Sequence, residues 1–296
     1  MSGFDTIVVV DWSARSAPSP VKETADAIWV AVAGAAGASC QYHRTRAAAM
    51  VALTALFEAE LAAGRRVLAG FDFPFGYPRG FARAVTGSDD PLGLWQHLAQ
   101  RIEDGDDNSN NRWAVAAALN DGFPGVGPFW GCPPTHHDPR LPQKGSLRSF
   151  KGLPERRRVE ESLPGAQPCW KLFTTGSVGS QALLGIPRLQ ALRAAFGPQL
   201  SVRPFEDSVT PITLVEVYPS LIAGAVATLQ DKAEIKDRAQ VRVLAEALAA
   251  LDGPVLERLT REGCPQEGWI LGAGQEGLLT DALGLTRATG QDWLSS

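Results

Sequence analysis

The sequence lacks the residue spacings that mark several common kinds of site. Its four cysteines, at positions 40, 132, 169 and 264, form no C-x-x-C pair, and its four histidines show no zinc-ligand spacing. His136 and His137 are adjacent, so their side chains are poorly placed to serve one metal ion, and we expect them in a loop. These patterns argue against a zinc site and against Cys/His nucleophilic catalysis. They predict reduced cysteines in a cytoplasmic protein.

Long apolar runs and an excess of positive charge are also missing. Nowhere do eighteen apolar residues occur together, and no basic segment is followed by a long apolar run, so neither export nor a membrane span is predicted. The formal net charge of -4 argues against a protein that coats nucleic acid through bulk positive charge, although it leaves room for a nuclease with a local basic patch. The 296 residues, 45% of them hydrophobic, suffice for a substantial core.

Apolar runs alternate with helical patterns in an order that predicts a mixed sheet covered by helices. Three runs joined by short loops, residues 7–11, 27–33 and 40–46, predict an antiparallel meander. The further predicted strands are residues 67–72, 200–204 and 212–218, and the helices outside the middle of the chain are residues 47–63, 187–196, 232–251 and 275–288. The prediction is an α/β core formed by residues 1–76 and 187–296.

Residues 77–186 differ from the rest in composition. They are rich in Gly, Pro, Trp and polar residues and show little periodicity, which predicts an inserted subdomain of helices and loops, with helices over 91–102 and 111–119. A basic stretch, residues 144–158, is either a solvated face or a phosphate contact. Irregularly spaced aromatic residues, Trp95, Trp113, Phe129 and Trp130, favour a local core over a partner-binding surface.

Acidic residues occur at the ends of apolar strands. Asp11 ends the first strand, Asp72 ends the fourth, and Glu216 lies near the end of the strand over 212–218. Asp281 lies within the last predicted helix, where we expect it to face inward. A charge at the end of a buried strand is costly unless solvent, hydrogen bonds or a cation meet it. Since hard cations prefer carboxylate oxygens, the four acids are predicted to converge at one edge of the sheet and to bind Mg²⁺ or Mn²⁺.

Four motifs resemble those of one protein family. They are VVVDWSA at the first strand end, FDFPFGYP at the fourth, VEVYPS on the late strand and EGLLTDALGLTRA in the last helix. In this order they resemble the predicted RNase H-like proteins called domain of unknown function 429, over roughly the first and last thirds of the chain. The resemblance implies an RNase H-like mixed sheet flanked by helices, from which the long middle segment departs. It also implies that Asp11, Asp72, Glu216 and Asp281 are the catalytic, metal-binding acids of a nuclease-like phosphodiester hydrolase.

Candidate substrate contacts lie beside the first acid and in the inserted segment. Ser13 and Arg15 follow Asp11 closely, and Lys151 and Lys171 lie further along, so we expect these four to contact a nucleic acid or a nucleotide. Two other functions stay open. The turn TTGSVGSQ, residues 174–181, could present backbone N–H groups to phosphate as in an actin-like ATPase, although it is not a Walker A sequence. The other is a noncatalytic interaction module that binds a protein through the inserted segment.

Overall fold

A six-stranded mixed sheet organises the part of the chain that the computed structural model describes, residues 3–35 and 37–285. Its strands are β1 (Thr6–Asp11), β2 (Ile28–Gly34), β3 (Gly37–His43), β4 (Val67–Phe71), β5 (Leu200–Val202) and β6 (Ile212–Glu216). Their order across the sheet is β3-β2-β1-β4-β6-β5. Strands β1, β4, β6 and β5 are parallel, whereas β2 is antiparallel to both β1 and β3. The predicted meander and mixed sheet are confirmed.

Helices cover both faces of this sheet. In chain order they are α1 (Arg46–Ala62), α2 (Phe81–Thr86), α3 (Pro91–Ala99), α4 (Arg112–Asn120), α5 (Arg158–Ser162), α6 (Gly179–Phe196), α7 (Ala223–Leu229), α8 (Lys236–Ala250), α9 (Gly253–Arg261) and α10 (Glu276–Ala282). Short 3-10 turns occur at Gly145–Leu147, Gly197–Gln199 and Pro219–Ile222. Within the described ranges, no helix combines the length and the apolar character that a membrane crossing requires.

The first strand contributes to two cores. Val8 and Val10 belong to a core on the face that α1, α3 and α6 cover, whereas Ile7 and Val9 belong to a core on the face that α8 and α9 cover. Successive side chains of a strand point to opposite faces, so a central strand with both faces covered is apolar at every position. This explains the unbroken Ile/Val run and fixes the direction of the residues at its end.

The inserted segment packs on the first of these cores. The rings of Tyr77, Phe81, Phe129 and Trp170 lie against one another, and Trp95 packs on Phe75 just after β4. These aromatic side chains are part of the same apolar cluster as the sheet residues. The segment is therefore anchored to the end of β4 through a shared aromatic core, which places its loops beside the carboxyl edge of the sheet.

Helix α6 begins earlier than the sequence indicates. It was predicted to begin at Pro187, but it begins at Gly179, and Pro187 lies within it. Proline is disfavoured inside a helix because it lacks an N–H group and crowds the preceding turn. Here the buried side chains of Leu183, Ile186 and Leu189 compensate through packing on the first core. The helix consequently runs across the predicted boundary between the inserted segment and the core.

Other predicted boundaries also differ from the observed ones. Strand β3 covers Gly37–His43, whereas residues 40–46 were predicted, and its pairing with β2 begins with Gly37 opposite Gly34. The last helix was predicted to extend to residue 288, whereas α10 ends at Ala282 and Gly284 adopts a left-handed conformation, with φ of 71°. Glycine after a helix in this conformation is a common terminator. Residues 286–288 lie outside the described part of the chain.

The packing between α6 and the turn after β4 gives a stability prediction. A Cβ atom on Gly185 of α6 would overlap the buried ring of Phe73. We expect Gly185→Ala to lower the free energy of unfolding by about 1–3 kcal/mol, the usual cost of overpacking a core. Chemical denaturation measures this change. In the matched control Gly224→Ala, also within a helix, the new methyl group meets no atom within 4 Å, so stability should stay level or rise. Equal effects of both substitutions would contradict the close approach.

Candidate functional site

Asp11 and Asp72 lie side by side at the carboxyl edge of the sheet. Strands β1 and β4 are parallel with Val10 opposite Phe71, so the next residue of each chain segment occupies neighbouring positions. The backbone N–H of Asp72 donates to the carbonyl of Val10 at 2.9 Å, which extends the ladder to this point. Adjacent strands are about 4.8 Å apart, so the two carboxyl groups are held close together. Both side chains are only partly buried.

The negative charges here are not balanced by the protein. Burial, then Asp72, Asp237 and Asp26, raise the pKa of Asp11 well above its usual value. Burial, then Glu216 and Asp237, raise the pKa of Asp72 to about 7. No ion pair among the described residues includes Asp11 or Asp72. The pair must therefore take up a proton or a cation to relieve the repulsion.

Asp237 is a member of this acidic group that the sequence reasoning missed. It lies in the first turn of α8, which packs on the β1–β2 side of the sheet. Its Oδ2 accepts a hydrogen bond from the backbone N–H of Asp26 at 2.7 Å. Asp26 has a φ of 54°, which is uncommon for a residue other than glycine. An acid in the first turn of a helix is ordinary in any sequence, so no local signal distinguished Asp237.

Glu216 lies at the same edge but on the other face of the sheet. It is the register partner of Phe71, which is itself opposite Val10, so its side chain shares their face rather than that of Asp11. It is 2% exposed. Its oxygens accept hydrogen bonds from the backbone N–H of Phe75 at 2.9 Å and from the Arg157 guanidinium at 2.6 and 2.7 Å. Glu216 therefore fastens the turn after β4 and the inserted segment to the end of β6.

Arg157 is the centre of this second arrangement. Burial alone would lower its pKa, but the carboxylates of Glu216 and Glu160 outweigh that effect and raise it. Its Nε also donates to Glu160 at 2.7 Å, and its Nη1 donates to the carbonyl of Glu267 at 3.1 Å. This guanidinium is 1% exposed, and its hydrogen bonds join the inserted segment to the end of β6.

The basic stretch, residues 144–158, is thus not a free positive patch. Besides Arg157, its Arg148 pairs with Glu155 at 2.9 Å, and Arg156 donates to the carbonyl of Ala166. Lys151, a predicted substrate contact, is exposed and makes no hydrogen bond with the described residues. Part of the stretch therefore acts in folding, which its sequence alone does not reveal.

The prediction that Asp281 faces inward is wrong. Asp281 is exposed on α10, and it is not among the charges that raise the pKa of Asp11 and Asp72. Helix α10 buries Leu279 instead. A residue two positions further along a helix is rotated by about 200°, so Asp281 faces away from the surface on which Leu279 packs. The sequence did not show which side of the helix is buried, so the direction of Asp281 was assigned wrongly.

The other predicted substrate contacts are placed differently from one another. Ser13 is buried, and its hydroxyl oxygen accepts from the backbone N–H of Arg15 at 3.3 Å, so it shapes the turn. The Nζ of Lys171 donates to the carbonyl of Thr175 at 2.7 Å and so supports the 174–178 loop. Only Arg15 reaches an open cleft, where its side chain is 38% exposed and lies 3.7 Å from Asp26.

That cleft has a volume of about 540 Å³ and lies next to the acids. Arg15, Asp26, Arg112, Phe173 and the loop residues 174–178 line it. Val178 also lines a cavity of about 30 Å³ whose walls include Asp72 and Glu216, so the cleft and the acidic edge share a wall residue. The turn TTGSVGSQ, which the sequence singled out, thus forms one wall of a cleft beside the strand ends.

The turn that follows Asp11 is held by a buried arginine from α1. Arg46 donates to the carbonyls of Ser13 and Arg15 at 3.0 and 2.8 Å, and it pairs with Asp104 of the inserted segment. The side chain of Asn108 accepts from the N–H of Arg46 at 2.9 Å. The acidic, Asn-rich residues 103–111 therefore form a clamp on this turn.

Asp11 and Asp72 at the sheet edge supply two of the carboxylates that a hard divalent cation prefers. Over residues 3–35 and 37–285, no group of three or more His, Cys, Asp or Glu side chains is arranged to hold a metal ion. Mg²⁺ usually keeps several waters, however, and is commonly held by one or two carboxylates together with a substrate phosphate. Asp11 and Asp72 are such a pair, because they are partly open and have no cationic partner among the described residues.

The comparisons with known proteins found no match. No protein-family model, no curated protein and no solved structure matches the chain.

The raised pKa of Asp72 predicts a dependence of stability on pH. Between its unfolded pKa of 3.8 and its folded pKa of about 7, the folded protein binds more protons than the unfolded chain, so stability falls as pH rises through this window. In metal-free buffer at pH 8, Asp72→Asn should raise the free energy of unfolding by about 1–3 kcal/mol, after allowance for partial exposure. Urea denaturation at pH 5 and pH 8 checks this. The exposed control Asp281→Asn should leave the free energy of unfolding unchanged at both pH values. A destabilised Asp72→Asn protein at pH 8 would contradict the repulsion.

The buried ion pair predicts a large loss of stability. Arg157→Met leaves Glu216 and Glu160 buried without a cation, which should cost about 3–5 kcal/mol. Arg83→Met is the control, because Arg83 and Asp89 form an exposed pair, and it should cost less than about 1 kcal/mol. Thermal and chemical unfolding compare the two variants. Adding Glu216→Gln to Arg157→Met should recover part of the loss, and no recovery would show that the charge of Glu216 is not the cause.

Proposed function

We propose that the chain is a divalent-metal-dependent hydrolase of phosphodiester bonds, built on an RNase H-like core, that acts on a nucleotide or nucleic acid. The carrying observation is the pair Asp11 and Asp72, whose mutual repulsion has no protein cation to offset it among the described residues. A meander followed by parallel strands, with acids at the ends of β1, β4 and β6, supports the resemblance to RNase H-like proteins.

In this proposal the chain holds a cation and a phosphate next to each other. Asp11 and Asp72 bind Mg²⁺ or Mn²⁺, and the nearby charge of Asp237 strengthens the field that attracts the cation. A bound divalent ion supplies charge stabilisation at a phosphoryl oxygen and lowers the pKa of water. Glu216 acts as a positioning residue, since Arg157 and the Phe75 N–H occupy its oxygens. Asp281 is not part of this site.

The loop beside the cleft keeps a second function open. An actin-like ATP-binding phosphotransferase or ATPase would also need a phosphate-holding turn, and TTGSVGSQ lines a cleft of nucleotide size. The interaction module has less support, because Trp95 and Phe129 of the inserted segment are buried in the core. Hydrolysis of ATP without cleavage of a nucleic acid strand would favour the ATPase.

Substitution of the acids tests the hydrolase. With Mg²⁺ or Mn²⁺ and a fluorescently labelled oligonucleotide or a dinucleotide, Asp11→Asn and Asp72→Asn should each lower kcat by at least about 100-fold, the scale of losing a group that stabilises the transition state. Because a proton and the cation compete for Asp72, whose pKa is about 7 without metal, the wild-type protein should need more divalent ion for full activity below pH 7. Asp281→Asn is the matched control and should keep wild-type activity. Cleavage that survives Asp11→Asn, or that needs no divalent ion, would refute the proposal.

A further inference from the structure

Arg112 is a buried cation without an acidic partner. It is 7% exposed at the start of α4, and burial together with the neighbouring Arg46 lowers its pKa to about 10. Its hydrogen bonds go to neutral acceptors, the hydroxyls of Ser180 and Ser16 and the side-chain oxygen of Asn110, at 3.0, 3.0 and 2.7 Å. The charge of Asp104 acts on this pKa in the opposite direction, but no carboxylate among the described residues forms an ion pair with Arg112. Burying a charge in this way is costly unless a ligand supplies the counter-charge.

One nitrogen of this guanidinium, Nη2, is free to bind a ligand in the cleft. Arg112 lines the cleft of about 540 Å³, and its Nη2 makes no hydrogen bond with the described residues and is not among their enclosed, unsatisfied atoms. Stacking on the ring of Trp113, 4.1 Å from its centroid, and the hydrogen bond to Ser180 hold the group in place. A fixed guanidinium whose two Nη2 N–H groups are unused suits a phosphate oxygen.

An exposed aromatic ring lies in the wall of the same cleft. Phe173 is 36% exposed and packs edge-on to Trp113, with ring centroids 6.2 Å apart. It directly precedes the 174–178 loop, in which Thr174 and Gly176 have φ values of 80° and 74°. Nucleobases stack on exposed aromatic rings, and the cleft volume falls in the range of small-molecule sites. The cleft thus offers a cation for a phosphate and a ring for a base.

We propose that this cleft binds a nucleotide, with its phosphate on Arg112 and its base against Phe173. The inference rests on the proposed function, because the cleft shares Val178 with the cavity at Asp72 and contains Asp26, whose charge acts on Asp11. It narrows the substrate class to a nucleotide or a short strand end. Long duplex tracking would need a continuous basic surface, and the basic stretch 144–158 uses Arg148 and Arg157 in ion pairs instead.

Binding measurements on the full chain test this site without any catalysis. Isothermal titration calorimetry in buffer with EDTA measures binding of two probes, inorganic phosphate and adenosine monophosphate. Arg112→Gln should weaken both probes at least about tenfold, the scale of one charge-assisted hydrogen bond. Phe173→Ala should weaken adenosine monophosphate about fivefold or more through lost stacking while leaving inorganic phosphate unchanged.

Two controls match these substitutions. Arg193→Gln removes an arginine of α6 that pairs with Glu206 outside the cleft, and Leu147→Ala removes an exposed apolar side chain elsewhere in the inserted segment. Both variants should bind both probes at wild-type strength. Thermal unfolding verifies that each variant is folded. If Arg112→Gln does not fold, Arg112→Lys replaces it, and a loss of about threefold or more in phosphate affinity then supports the role of the planar group.

The outcomes separate this site from the proposed hydrolase. Probe binding at wild-type strength in the Arg112 variant, or no binding by the wild-type protein, overturns the nucleotide site. An unchanged affinity for adenosine monophosphate in Phe173→Ala overturns the placement of the base. Binding that depends on Arg112 and Phe173 supports the site even if Asp11→Asn shows that no metal-dependent cleavage exists. Cleavage that depends on Asp11, with binding that is indifferent to Arg112, supports the hydrolase and rejects this cleft.

Discussion

The repulsion between Asp11 and Asp72 is the constraint on which the rest of the site depends. The parallel ladder of β1 and β4 continues into the N–H of Asp72, so neither backbone can move the carboxyl groups apart. Both strands are apolar on both faces and are held by two cores, which makes a shift of register costly. The fold therefore maintains an electrostatic strain that a proton or a cation relieves, and it does so with the most rigid part of the molecule.

The two faces of the same edge handle buried charge in different ways. Glu216 has a cation, Arg157, and a backbone N–H as partners, so its charge is satisfied and serves to attach the inserted segment. Asp11 and Asp72, one position further along the strands, have no cation partner among the described residues, and the charge of Asp237 raises the pKa of both. A one-residue offset on a pleated strand thus separates an acid used for structure from acids available for a ligand.

The sequence predicted the parts of this site that depend on strand ends. Asp11 and Asp72 follow unbroken apolar runs, and the parallel direction of their strands brings such ends to one edge, so both were found. Asp237 and Arg112 were missed because each begins a helix in polar surroundings and reaches the site only through tertiary packing. Asp281 was assigned wrongly, since the phase of α10 depends on which residue the helix buries. Local pattern thus predicted the sheet but not the side chains that distant segments bring to it.

Arg112 and the two acids form no ion pair with each other. Ser16, Asn110, Ser180 and the ring of Trp113 hold its guanidinium in place. The protein thereby keeps separated charges of opposite sign on the two sides of Val178. The ligand that we propose, a nucleotide with a divalent counter-ion, carries charges of both signs and would satisfy both groups without an internal ion pair.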